Sequence, residues 1–93
     1  MTGKANKERT RRWLGLLTSV NASLYEWDPY LMGSKVGAPR NEYESAATEL
    51  ISRLQHARTR SAFEAEARQA FPLVPGVVLD LWWAGFCDYW GRD

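Results

Sequence analysis

The chain has 93 residues, 45% hydrophobic and 25% charged, which describes one ordinary globular domain over 1–93 and leaves no room for a second. A net charge of +1 argues against wholesale attraction to nucleic acid or anionic membrane, and no stretch approaches the roughly twenty apolar residues of a membrane span. The single cysteine, Cys87, excludes an internal disulfide and a cysteine-built zinc site and suits a reducing cytoplasm, the expected location.

Charge is unevenly placed: residues 1–20 carry +4, 21–50 carry −3, 51–75 carry +2 and 76–93 carry −2. The start has a basic stretch, Lys4 to Arg12, before the fairly apolar Trp13 to Val20, and Val20-Asn21-Ala22 loosely resembles a cleavage site. The apolar run is interrupted by Thr18 and Ser19, and its pattern continues past the supposed site, so a structural helix is the better reading.

That first helix is predicted over Asn6 to Glu26. Trp13, Leu17, Val20, Leu24 and Trp27 form one stripe, widened by Leu14 and Tyr25. Basic residues near a helix N-terminus oppose the macrodipole, so residues 1–8 are expected to fray, with Asn6 or Thr10 as caps. A connector follows from Trp27 to Tyr43. Pro29 pushes Asp28 toward an extended backbone, where its side chain can cap a short turn; Gly33 and Gly37 can adopt positive φ, and Pro39 precedes a run of helix formers.

The second helix is predicted from Asn41, as N-cap, to about Ala57, with Tyr43, Ala47, Leu50 and Leu54 as its stripe. The third carries a capping box, Ser61-Ala62-Phe63-Glu64, and a Phe63, Ala67, Ala70, Phe71 face that Pro72 terminates. The last segment, Val77 to Trp90, reads either as a helix or as a segment that begins as a strand. As a helix its apolar residues sweep roughly 200° of the wheel, too wide for packing on three short helices. One flank of it, Trp83 and Trp90, is therefore a candidate partner surface.

No catalytic signature is present. Glu42, Glu49 and His56 line one helical stripe, but a spacing of seven puts neighbours about 10 Å apart, beyond one metal ion. Cys87 lacks an activating base in its aromatic surroundings. Gly33-Ser34-Lys35-Val36-Gly37 lacks the spacing of a phosphate loop. The basic residues Lys7, Arg9, Arg11 and Arg12 fall on a different face from Trp13, unlike a nucleic-acid surface with interleaved aromatics. No catalytic, cofactor or metal-binding residue is expected.

Trp27-Asp28-Pro29, Gly37-Ala38-Pro39 and Glu42-Tyr43 together resemble the signature of a family of small bacterial helical proteins of uncharacterised function, over residues 13–71. In that family a Trp-Asp-Pro turn leads through Gly-x-Pro to an Asp-Glu-Tyr-Asp helix start. Here that start is Asn41-Glu42-Tyr43-Glu44, which departs at two positions. The resemblance implies a helical fold and no active site. In size and style the chain is also similar to bacterial immunity proteins, which bind and block a toxin.

The reading is an all-α bundle of three or four helices that acts as a non-catalytic protein-binding module, of the immunity or antitoxin sort, or that pairs with itself as a homodimer. Its expected contact residues are Asp28, Glu42 and Glu44 on an acidic connector surface, with Trp83 and Trp90 on the last helix. The alternatives are a helical regulator touching nucleic acid through Lys7, Arg9, Arg11 and Arg12, and a small enzyme in which Asp28, Glu42 and His56 converge.

Overall fold

A computed structural model describes residues 3–91, with side chains from residue 7 onward. The described residues form four helices and no strand: α1 (Gly3–Trp27), α2 (Glu44–Leu54), α3 (Arg60–Ala70) and α4 (Gly76–Gly91), with a single 3₁₀ turn at Ser34–Val36. The ambiguity over the last segment is thus resolved as helix from its first residue. Pro75 cannot donate a backbone hydrogen bond, but its carbonyl accepts from the Leu79 amide and so opens the helix.

Each helix packs on the next, and α4 closes the ring against α1. Arg12 lies beside Tyr89 and Ser23 beside Trp82, so α1 and α4 run antiparallel. In the same way Asn21 and Tyr25 reach the approach to α2 through the carbonyls of Arg40 and Ala38, and α2 runs back along α1. The core they enclose is aromatic: Phe63 contacts the rings of Trp83, Phe86 and Trp90 at 5.0–6.2 Å, and Trp27 and Trp82 both pack on Phe71. Edge-on and tilted contacts of this kind add to the area they bury. The polar edges of the rings are satisfied, Trp82 Nε1 donating to Ser23 Oγ and Trp90 Nε1 to the Gln55 carbonyl.

Several local expectations need correction. Of the frayed tail expected over 1–8, residues 1–2 lie outside those described, and the backbone from Gly3 is helical. The Asn6 side chain is likewise outside the described set, and Thr10 sits within the helix instead of capping it. The basic residues of α1 are accommodated from outside the helix: Arg9 and Arg12 border a cleft with Gln55, His56 and Tyr89, at the C-terminal ends of α2 and α4, where cations are favourable. Leu14 is exposed, and Leu16 takes the buried place beside Val20 and Leu24.

The second helix starts at Glu44, three residues after Asn41. Asn41 contributes a backbone carbonyl to the Glu44 amide, and the helix ends at Leu54, not near Ala57. Thr59 caps α3, its Oγ1 accepting from the Ala62 amide, so the Ser61–Glu64 capping box does not form. Glu64 instead pairs with Arg60 and Arg68, one turn away on either side.

Candidate functional site

The 16 residues between α1 and α2 (Asp28–Tyr43) make few helical hydrogen bonds of their own, so their amides need other acceptors. Asp28 supplies them. Its carboxylate is buried, 1% exposed, and Oδ1 accepts from the amides of Met32 and Gly33, each at 2.8 Å. Oδ2 accepts from the Lys35 amide at 2.9 Å. A fourth donor comes from across the fold, the Tyr43 hydroxyl, 2.7 Å from Oδ1. That hydroxyl in turn accepts from the Tyr30 amide at 2.9 Å. The Leu31 amide goes to the Asp28 carbonyl, and those of Val36 and Ala38 go to the Gly33 carbonyl.

A buried carboxylate is tolerable only when it is surrounded by donors. Burial by itself pushes the Asp28 carboxyl up. The Tyr43 hydroxyl and the amides of Lys35, Met32 and Gly33 outweigh that effect and hold it below the usual carboxylate value. Tyr43 shifts upward, first because it is buried, with the Tyr30 amide opposing and the bond and charge of Asp28 adding to the rise. The pair is thus an ionised acid and a neutral phenol, a structural clasp with neither group poised to exchange a proton near neutral pH.

Close packing surrounds the clasp. A Cβ on Gly33 would lie 2.9 Å from Tyr43 Cε2, 3.1 Å from the Tyr25 carbonyl and 3.2 Å from Asp28 Oδ1, so only glycine fits. Gly37 ends the 3₁₀ turn at φ 68°, the left-handed conformation a glycine adopts freely. Asp28 and Leu31 also have positive φ, 54° each. Aspartate tolerates this region, whereas a bulky side chain there is an outlier costing on the order of 1–2 kcal/mol. Leu31 is nonetheless held there by bonds to the amides on both sides of it, and its side chain is 62% exposed. Tyr30, next to it in sequence, and Val36, five residues on, are also exposed, and Tyr30 stacks on Tyr43 and leans on Phe71.

The residues singled out from sequence are dispersed by this arrangement. Asp28 does cap a turn, but from a left-handed backbone at φ 54° instead of the extended one expected before Pro29, and it does not contribute to an acidic surface, because its carboxylate is enclosed. Glu42 and Glu44 are exposed at the start of α2, with Glu44 in the helix's first turn, where negative charge is favourable. Trp90 is 9% exposed and belongs to the core, and Trp83 is half-buried against Phe63 beneath the Arg60 guanidinium. The aromatic flank therefore does not project as a partner surface. The exposed flank of α4 carries Val77 and Leu81 instead.

His56 lies just past the far end of α2 from Glu42, in the cleft with Arg9, Arg12 and Arg58, so Asp28, Glu42 and His56 share no pocket. Among the described residues no three His, Cys, Asp or Glu side chains gather as a metal site, and no helix is long and apolar enough to cross a membrane. Cys87 is exposed. Sequence reasoning missed the tie between Tyr43 and Asp28, because the helical stripe had already claimed Tyr43. It also missed the outward side chains of Tyr30, Leu31 and Val36. No known family model, curated protein or solved structure matches the chain.

Proposed function

We propose that the protein is a non-catalytic protein-binding module whose contact residues are the exposed Tyr30, Leu31 and Val36 of the connector, together with Glu42 and Glu44 at the start of α2. The observation that carries this reading is Leu31: an apolar side chain on a strained left-handed backbone, directed to solvent by a buried clasp. Backbone strain that is held in place by surrounding bonds, at an exposed apolar residue, is a feature of recognition sites. A preformed loop also loses less conformational freedom on binding than a mobile one. The matching partner offers an apolar socket with basic residues at its edge, and a toxin blocked by an immunity-type protein is one such partner.

Membership of the small bacterial helical family is part of this proposal. It is supported by the position of the residues that carry the resemblance, since Trp27, Asp28, Pro29, Gly37, Pro39 and Tyr43 all build this connector. A cytoplasmic location is supported by the single, exposed thiol of Cys87. A second reading, a regulator contacting nucleic acid, draws on the gathering of Arg9 and Arg12 with His56 and Arg58 at the opposite end. Duplex binding that survives physiological salt would favour it.

The test is Leu31→Asn. Asparagine accepts the left-handed conformation, so the variant should melt no lower than the wild type, and up to about 1 kcal/mol higher if the strain is relieved. It should also lose the protein that the immobilised wild type captures from its native cell extract. Equal capture of that protein by both would overturn the proposal.

A further inference from the structure

Four basic side chains meet at one end of the bundle. Arg9 and Arg12 are one turn apart on α1, and His56 and Arg58 lie in the short loop from α2 to α3, so only the fold brings the two pairs together. They line a cleft of about 540 Å³ to which the last turn of α4 adds Tyr89 and Trp90. Among the described residues no carboxylate lines it. The cleft is held by bonds across its own walls: Trp90 Nε1 donates to the Gln55 carbonyl at 3.1 Å, Arg12 donates to the Tyr89 carbonyl, and the Arg58 guanidinium lies 5.5 Å from the centre of the Trp90 ring.

Those bonds satisfy carbonyls left open at the C-terminal ends of α2 and α4, and they use neither Arg9 nor His56. Both residues are exposed, and among the described residues their side chains make no hydrogen bond or ion pair. The acids of α3 and of early α4 are engaged elsewhere, Glu64 with Arg60 and Arg68, Glu66 with Arg53, and Asp80 with Arg60. Asp88 is the acid on this side of α4, and it shares the adjoining hollow with Arg12.

We infer that this cleft is a binding site for the phosphate group of a small phosphorylated ligand. Like charges gathered around one cleft repel, and a bound anion offsets that cost. Guanidinium groups match the oxygens of a phosphate in a fork, and a group carrying nearly two negative charges suits several cations better than a single carboxylate does. The volume falls within the range of small-molecule sites and far exceeds what a phosphate fills, so the organic part of the ligand lies against Tyr89 and Gln55. Shape argues for one small ligand over a nucleic-acid strand. A strand needs cations along a track of phosphates, whereas these converge on one hollow, with Glu8 and Asp88 next to them in sequence. The connector leads into the other end of α2, so this inference stands or falls apart from the proposed function.

Inorganic phosphate and phenyl phosphate are the probes, each titrated into the full chain at constant pH and ionic strength and followed by proton–nitrogen NMR. Both should give saturable shifts at the Trp90 indole and at Arg9, Arg12, His56 and Arg58, with phenyl phosphate at least fivefold the tighter. Phenol, which lacks the phosphate, should give none. Arg9→Gln and His56→Gln remove exposed side chains without bonds, so each should keep the wild-type melting temperature and weaken phenyl phosphate at least threefold, and the pair together at least tenfold. Leu31→Asn should leave binding unchanged. Shifts that never saturate, shifts centred outside the cleft, equal shifts from phenol, or binding indifferent to both single variants overturn the inference. It is overturned as well if a single-stranded oligonucleotide binds through these residues in physiological salt while phenyl phosphate does not, which would make the cleft part of a nucleic-acid surface.

Discussion

Tyr43→Phe removes one oxygen atom and leaves the buried ring in place. The lost hydroxyl donates to the Asp28 carboxylate at 2.7 Å and accepts from the Tyr30 amide at 2.9 Å. A hydrogen bond to a charged group contributes about 1.5–3 kcal/mol, and the cost of a carboxylate left one donor short falls in the same range. The Tyr30 amide lies at an exposed residue and can turn to water, so it adds little. The expected loss is therefore about 2–3 kcal/mol, or roughly 10–20 °C in melting temperature for a domain of this size. Urea and thermal denaturation followed by circular dichroism would measure it. The same substitution in an Asp28→Ala background should cost far less, since its acceptor is gone; that non-additivity separates the clasp from simple packing. A Tyr43→Phe variant within 0.5 kcal/mol of the wild type, or a cost unchanged without Asp28, would refute the reasoning.

Gly33→Ala places a methyl group 2.9 Å from the Tyr43 ring and close to two oxygens, and it should destabilise by about 1–3 kcal/mol in the same denaturation assay. Trp90→Ala empties a core site and orphans the Gln55 carbonyl, so a loss of about 3–5 kcal/mol is expected, close to that of Trp82→Ala. A Trp90→Ala protein as stable as the wild type would return that residue to the surface. Stability measured against pH should show no loss from Asp28 down to the ordinary aspartate range, about 3.9. Below it the unfolded chain takes up the proton first, so stability falls until the lowered folded-state value is passed. In Asp28→Asn that acid-side decline should shrink.

The four helices were legible because their apolar residues recur at helical spacing over many turns, and periodicity averages away local error. Boundaries were less so. Asn41 and Ser61 each had the chemistry of a cap, but one capping side chain suffices per helix, and the path of the chain gave that place at α3 to Thr59. The inward arc of α4 was misjudged at one edge: Leu81 and Val77 are as apolar as their neighbours, and only the position of α1 and α3 decides that Trp90 is covered and Leu81 is not. At the connector, Asp28 before a proline announced a cap. Its fourth donor, Tyr43, is 15 residues away, and no local rule links them. The strain at Leu31 was hidden for the same reason, because a leucine gives no sign of positive φ.

An ionised carboxylate organises the connector, and a carboxyl-carbon NMR titration of Asp28 observes it directly. The Asp28 midpoint should lie below the ordinary aspartate value of about 3.9, with the amide shifts of Met32, Gly33 and Lys35 moving at the same midpoint. In Tyr43→Phe the midpoint should rise, since the hydroxyl is the first of the groups that hold it down. A wild-type midpoint at or above 3.9, or amides that titrate independently of the carboxyl, would contradict the account.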